Sequence, residues 1–308
     1  MEHEGRLAFT PVTPEDYDRL YPYTSAFGEG SCQHSPVSMF SLSEKYGDCV
    51  CIEDDVLYTL RSNLCDDTYR VYLGPLCGNG MEAAFGRIIA DAGSHGRMVR
   101  FLTLTEQSAR ILEKAFPGRF DYEEDRDMAE YIYRSATMAE FSGAQLNKRR
   151  AEIHTFWNTF GDRASVTRIR PEDHGECLAY ERKWLADNLE THDRETLLRD
   201  ARMIERQMAL FDELHLSGVI LRVDGRTCGF CYGTKLGDTY DVIVEKADRA
   251  VPHSYKVIRQ ESARQCAADC VYVNMEEDVG LPGLRALKNA YKPERLLKKF
   301  IVTERRRI

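Results

Sequence analysis

Residues 219–275 read VILRVDGRTCGFCYGTKLGDTYDVIVEKADRAVPHSYKVIRQESARQCAADCVYVNM, and the change of hydrophobic period along them decides the fold. VILRV at 219–223, CGFCYGTKL at 228–236 and TYDVIVEKA at 239–247 are short runs rich in β-branched and aromatic residues. Asp224 with Gly225, and Gly237 with Asp238, separate them with residue types that accept the left-handed backbone of tight turns. The pattern predicts an antiparallel meander of three strands. SYKVIRQESARQCAAD at 254–269 then takes up helical spacing, CVYVNM at 270–275 returns to a strand, and LPGLRALKNAY supplies a further helix.

The same order occurs upstream. CVCIE at 49–53, VLYTLRS at 56–62 and YRVYLGPL at 69–76 read as antiparallel strands. MEAAFGRIIADAGSHG follows as a helix, VRFLTL as a strand, and TEQSARILEKAF as a helix capped by Thr105. Near the start, Thr13 as cap, Pro14 in the first helical position and Asp16 mark another helix. Aligning DDTYRVYLGP at 66–75 with GDTYDVIVEK at 237–246 brings the flanking elements into step, the sign of two domains of one architecture. Between them a helix beginning at Ser142 or Gly143 carries Leu146, Ile153, Phe156, Trp157 and Phe160 on apolar positions. ASVTRIR is a strand, and PEDHGECLAYERKWLADNL and ETLLRDARMIERQMALFDELHL are two more helices. Helices, a three-strand meander, then helix, strand, helix and strand is the order of N-acetyltransferase-type acyltransferases. The fold class expected is therefore α/β (α+β): two tandem N-acetyltransferase-like domains, each a mixed, mainly antiparallel sheet flanked by helices. The expected boundaries are 1–140, a connecting helix at 141–160, and 161–308.

The 308 residues are 43% hydrophobic and 30% charged, which excludes a disordered or fibrous chain. Of the formal charge of -8, residues 1–140 contribute 13 basic and 24 acidic side chains and residues 141–308 contribute 29 and 26, so an anionic macromolecule is expected to meet the second half. MEHEGRLAFTPVTPEDYDRL lacks the basic and apolar regions of a secretory leader, and no apolar run reaches membrane-spanning length. A cytoplasmic protein is expected. Most of the ten cysteines read as buried thiols. Cys228 and Cys231 have a C-x-x-C interval, but they fall in an apolar strand without histidines at finger spacing, and no metal is expected.

YIYRSATMAEFSGAQLNKRR, VDGRTCGFCYG, TYDVIVEKAD and YVNMEEDVGLPGLRALKNAYKPERLLKKF together resemble an uncharacterised bacterial family of tandem acetyltransferase-like proteins. That family shares its domain with the C-terminal part of phosphatidylglycerol lysyltransferases and is more distantly similar to the peptidoglycan aminoacyltransferases. The resemblance covers about the last 180 residues. It implies transfer of an activated acyl or aminoacyl group to an amine or hydroxyl acceptor, with aminoacyl-tRNA or acyl-CoA as a donor substrate and no tightly bound cofactor. The acceptor is a small molecule or a lipid headgroup. Two departures stand out: Ala151 follows the Lys148, Arg149, Arg150 cluster where the family shows asparagine, and His253 with Ser254 precedes Tyr255 where it shows glycine.

Candidate site residues follow from chemistry and position. Lys148, Arg149 and Arg150 suit a phosphate or carboxylate, and equally a solvated charge run. Glu245 and Lys246 end a strand and point to opposite faces, Glu245 as a base or orienting group and Lys246 toward donor phosphate. His253 sits at the donor turn, where phosphate groups meet backbone amides in acyltransferases of this order. Asn274, Glu276, Glu277 and Asp278 form an acidic turn suited to an ammonium or to a proton from an attacking amine. The same carboxylates can instead satisfy Arg285 and Lys288 of the next helix. Tyr291 is the candidate acid toward the leaving group, with a tyrosine packed on the sheet as the plain alternative. Asn274, Glu245, Glu276 and Tyr291 are the catalytic candidates, and the others bind substrate. A noncatalytic tRNA- or nucleotide-binding protein and a regulatory pseudoenzyme share every one of these features.

Overall fold

The computed structural model describes residues 5–189 and 193–306. Thr13 opens the first helical segment as expected: its backbone N–H donates to Asp16 Oδ2 at 2.9 Å, closing a capping box around a 3-10 turn that leads into α1 (Tyr17–Phe27). Two short helices the sequence reading left unassigned, α2 (Pro36–Ser41) and α3 (Ser43–Tyr46), come next.

In chain order the first sheet receives β1 (Thr10–Pro11), β2 (Asp48–Glu53), β3 (Val56–Arg61), β4 (Tyr69–Tyr72), β5 (Met98–Thr105) and β6 (Phe120–Glu124). β2, β3 and β4 form the antiparallel meander, whereas β4 and β5 are parallel and joined through α4 (Met81–Ser94). α5 (Glu106–Ala115) follows β5, its Thr105 cap accepting from Ser108 N at 3.3 Å. Tyr72, Phe85, Phe101 and Phe120 fill the core of this unit, with Phe85 and Phe101 edge to face at 5.4 Å.

The second sheet is built from β7 (Glu130–Arg134), β8 (Ala164–Arg168), β9 (Ser217–Val223), β10 (Arg226–Leu236), β11 (Thr239–Ala247), β12 (Tyr272–Glu277) and β13 (Arg295–Leu297), in the spatial order β13-β7-β12-β11-β10-β9-β8. Its helices are α6 (Ser135–Glu140), α7 (Asn147–Phe160), α8 (His174–Asn188), α9 (Arg194–Ala209) and α10 (Ser254–Cys266), and α11 (Pro282–Ala290) follows β12. β9, β10 and β11 are the predicted meander, and β11 and β12 are parallel across α10. Each sheet thus contains an antiparallel meander followed by a parallel pair spanning a helix, and the two tandem, mainly antiparallel N-acetyltransferase-like domains are present. Between Tyr232 and Gly233 the β10–β11 register shifts, and a Cβ at Gly233 would collide with the Asp241 carbonyl, so the bulge requires glycine there.

The last strand, β14 (Lys299–Glu304), lies in the first sheet, antiparallel to both β5 and β6. The first compact unit is consequently Met1–Tyr131, Glu277–Ala286 and Leu296–Ile308, and the second is Ile132–Glu276 with Leu287–Arg295. This differs from the continuous span 161–308 read from the sequence, and it places the connecting helix α7 within the second unit. The reason is physical. KFIVTE specifies a strand by its local alternation, but its partners, such as Phe101 opposite Val302, are distant in sequence and are selected by packing in the first core.

Candidate functional site

β11 and β12 pair only through Thr239–Asp241 and Tyr272–Asn274, although the strands run on to Ala247 and Glu277. Past Asp241 the edge of β11 toward β12 therefore lacks a ladder partner in that strand, the kind of sheet edge at which an extended group can pair with backbone N–H and C=O. The chain leaves this edge through a turn held by Asp248, whose Oδ1 accepts from Ala250 N at 2.8 Å and whose carbonyl accepts from Ser254 Oγ at 2.7 Å. His253 caps α10 with a left-handed backbone, φ 67° and ψ 5°. At the corresponding point of the first unit the cap of α4 is Gly80, φ 72° and ψ 27°. Histidine thus adopts in one unit what glycine adopts in the other, at a cost of about 1–2 kcal/mol for the side chain.

Around the start of α10 the second unit gathers cations. Arg149 of α7 donates to Glu152 Oε2 at 3.1 Å, and Lys256 Nζ lies 3.6 Å from the same oxygen and 3.4 Å from His253 Nδ1. Burial pushes the Glu152 carboxyl up, but the Arg149 hydrogen bond and the charges of Lys256, Arg149 and His253 outweigh it and hold the group below its ordinary value. Arg149, Lys256 and His253 are half-buried, and Lys148 is exposed. Arg150 is engaged differently: its guanidinium donates to the carbonyls of Phe141 and Gly143 and to Asn147 Oδ1, tying down the turn that precedes α7.

Glu245 accepts two hydrogen bonds from Arg259 of α10, Nε to Oε2 at 3.0 Å and Nη2 to Oε1 at 2.5 Å. Burial opposes the Arg259 charge, yet Glu245 more than offsets it and raises the guanidinium further above its ordinary range. The Arg259 guanidinium carbon is 4.4 Å from the Tyr291 ring centroid and that of Arg149 is 5.3 Å, while the Phe141 ring stands 5.5 Å away. Tyr291 is 2% exposed, and among the described residues its hydroxyl has no hydrogen-bond partner. Burial pushes that hydroxyl up, and the neighbouring Arg259 and Arg149 pull it down.

Lys246 faces the other side of β11, as strand alternation predicts. Its ammonium lies 3.5 Å from the centroid of Trp184 and 3.6 Å from Glu181 Oε1, both residues of α8, so it is separated from the cationic group at α10. In the acidic turn, buried Asn274 accepts from Glu276 N at 2.8 Å, and Glu276 has a left-handed φ of 55°. Lys288 donates to the Met275 carbonyl at 2.5 Å. In the first unit Glu277 accepts from Cys32 Sγ at 3.5 Å. Asp278, fully buried, accepts from Tyr131 at 2.6 Å, Arg126 at 3.2 Å, Gly280 N at 3.0 Å and Arg285 at 2.8 and 2.9 Å. Burial alone would raise the Asp278 carboxyl, but these donors hold it far below the usual carboxylate range. The plainer reading of this turn, satisfaction of Arg285, is therefore what Asp278 does.

Sequence reasoning missed Glu152, Lys256, Arg259 and Glu181. Lys256 and Arg259 follow His253 at intervals of three, so one face of α10 carried a readable signal. All ten cysteines are free, and each is buried or half-buried. Among the described residues no group of three or more His, Cys, Asp or Glu is arranged to hold a metal, and no helix is long and apolar enough to cross a membrane.

The phosphatidylglycerol lysyltransferase C-terminal family model matches residues 27–303. The chain belongs to that family. A conserved protein of unknown function from Bacteroides thetaiotaomicron VPI-5482 superposes with a TM-score of 0.90 at 28% identity, over 97% of this chain and 100% of the other. L-PGS from Bacillus licheniformis superposes with a TM-score of 0.66 at 14% identity, over 97% and 94% of the two chains, which shows the shared fold. An uncharacterised protein of Mycoplasmoides gallisepticum is 22% identical over 172 residues, 56% of this chain and 55% of its own length, so the chain spans about half of that curated relative. As a phosphatidylglycerol lysyltransferase C-terminal family member, the protein has a transferase-like fold, and the α10 cap is where His253 stands in it.

Proposed function

We infer that the protein transfers an activated acyl or aminoacyl group from a phosphate-bearing donor to an amine or hydroxyl acceptor, working in the cytoplasm. The observation that carries this reading is the convergence of Arg149, Lys256 and His253 on the first turn of α10, beside Tyr291 and the opened edge of β11. A helix N-terminus with cations around it favours an anion. Arg149 and Lys256 hold the phosphate end of the donor, and Glu152 keeps both in place. The acyl carbon lies along the edge of β11 that β12 leaves unpaired. The acceptor attacks that carbon, a new C–N or C–O bond forms, and the bond to the donor breaks. Tyr291 gives its proton to the departing oxygen or sulfur. Arg259, fixed by Glu245, and Arg149 face the ring and stabilise the tyrosinate left behind.

An adenosine-bearing aminoacyl donor is preferred over acyl-CoA. The family match and the resemblance to aminoacyl-transferring proteins support it, as does the bulk of His253 at the position where a close-fitting pyrophosphate turn uses glycine. The basic second half of the sequence supports tRNA as the carrier.

Calorimetric titration of the wild type, Arg149→Ala and Lys256→Ala with a nonhydrolysable aminoacyl-tRNA mimic and with acetyl-CoA tests the reading. The mimic is expected to bind more tightly than acetyl-CoA, to weaken tenfold or more in each variant, and to weaken with added salt. Binding of acetyl-CoA alone would reverse the donor preference, and failure of both ligands to bind would overturn the reading. A mass-shift screen of primary amines and alcohols with the better donor then identifies the acceptor.

A further inference from the structure

By the internal repeat, the first unit's counterpart of the α10 cap is the start of α4, and the two places carry opposite charge. Arg149, Lys256 and His253 gather at the first of them. Against the first turn of α4 lies a cavity of about 550 Å³, and the charged side chains lining it are two carboxylates, Glu29 and Glu82, with no lysine or arginine. That volume is in the range of small-molecule sites.

The polar groups on the cavity walls are held in place yet only partly used. Glu29 has a left-handed backbone, φ 55°, and the Thr105 hydroxyl fixes it by donating to Oε1 at 2.6 Å while accepting from Ser108 N. Among the described residues, Glu29 Oε2 and the Glu82 carboxylate have no hydrogen-bond partner. Ser108 is 9% exposed, and its hydroxyl meets no oxygen or nitrogen: its contact is the thioether of Met81, also on the cavity wall, at 3.9 Å. Sulfur is a weak acceptor, and a buried hydroxyl with so poor a partner favours a polar ligand group. No side chain caps α4, and among the described residues the N–H groups of Met81, Glu82 and Ala83 find no acceptor within the chain. A lone cation would suit the carboxylates but face the positive end of α4, and a lone anion would meet the reverse. A molecule that carries both charges satisfies both.

We propose that this cavity binds a free α-amino acid with an uncharged side chain, its ammonium held by Glu29 and Glu82 and its carboxylate by the first-turn amides of α4 and the Ser108 hydroxyl. Phe27, Met81 and Ile111 give the side chain an apolar wall. Amino acids with acidic side chains are rejected, because a second carboxylate would lie near Glu29 and Glu82 with no cation on the walls to receive it. The site belongs wholly to the first unit and does not depend on the transferase reading.

Calorimetric titration and thermal melts of the full chain with a panel of free amino acids test the proposal. Leucine, methionine or phenylalanine is expected to bind saturably and raise the melting midpoint, with aspartate and glutamate at least tenfold weaker. For the best ligand, the matching amine without a carboxylate and the matching N-acetyl amino acid are each expected to bind tenfold or more weakly. Glu29→Gln, which keeps the acceptor for Thr105, and Glu82→Gln, at an exposed position, are each expected to weaken binding tenfold or more. Ala26→Trp, which places bulk at an exposed position of the lining, is expected to abolish binding with the melting midpoint of the free protein unchanged. Absence of binding by every amino acid up to about 10 mM would overturn the proposal. So would binding that Glu82→Gln and Ala26→Trp both leave intact, or an amine that binds as tightly as its amino acid. Donor titration of the same Glu82→Gln protein is expected to match the wild type within about threefold, and a tenfold loss of donor affinity would overturn the independence of the two sites.

Discussion

The Arg259 guanidinium and the Glu245 carboxylate form a two-pronged ion pair, Nε to Oε2 at 3.0 Å, whose cation lies 4.4 Å from the centroid of the Tyr291 ring. Their side chains are 8% and 11% exposed, so neither charge has water to fall back on. Glu245 accordingly positions Arg259 and is a poor candidate for the base that the sequence suggested. Glu245→Ala is expected to destabilise the protein by about 3–5 kcal/mol, because it strands a buried guanidinium. Adding Arg259→Met should restore most of that loss. Urea denaturation of the two variants checks it, and equal destabilisation in both would refute the coupling.

Tyr291→Phe separates chemistry from packing. Its hydroxyl makes no hydrogen bond among the described residues, so removing it should leave the unfolding midpoint within about 1 kcal/mol of the wild type. Turnover is expected to fall roughly 10²–10⁴ if the hydroxyl protonates the leaving group. Steady-state kinetics with a donor whose leaving group is more acidic should show a smaller loss. An unchanged rate with both donors would assign Tyr291 to packing alone.

Asp278 sets a limit on acid stability. Its folded carboxyl is held below the unfolded value by Arg285, Tyr131 and Gly280 N, in spite of burial. The folded state therefore releases this proton more readily than the unfolded chain. The resulting stability is complete above about pH 5 and is lost as pH falls through the unfolded pKa near 4 toward the folded one. Between pH 4 and 2 the Asp278→Asn variant should lose stability less steeply than the wild type, as measured by denaturant midpoints. Parallel slopes would show that other carboxylates carry the effect.

Asp48 works in the opposite direction. Burial pushes its carboxyl up to about 6, against the pull of Arg61 at 3.3 Å. Between about pH 4 and pH 6 the folded state holds a proton that the unfolded chain has released. Stability should therefore decline as pH rises through that window, by on the order of 2–3 kcal/mol from this group. Asp48→Asn should flatten the decline in a thermal-melt series. A wild-type profile that rises through the window by the same slope as the variant would contradict it.

Much of the fold was legible because its elements are defined locally. The period-2 runs at 219–223 and 239–247, the turn pairs between them and the caps at Thr13 and Thr105 act within a few residues, and the structure contains each of them. The candidate site was legible in part. Arg149 lies over the Tyr291 ring and His253 lies beside Lys256, but Glu276, Asp278 and Arg150 had no local signal to say whether a partner would engage them. Asp278 turned out to be surrounded by donors from Tyr131 and Arg126, both remote in sequence.

By itself the sequence determined the kinds of element, their order, the repeated meander and the opposite facing of Glu245 and Lys246, because dihedral preference, capping and strand alternation are short-range. Tertiary structure alone decided that β14 pairs with β5 and β6, that Glu245 is bound by Arg259, and that Glu181 is buried as the ion-pair partner of Lys246. Pairing of distant strands and the partnering of buried charges depend on which surfaces exclude water together. A sequence window cannot contain that information, since desolvation is a property of the assembled core.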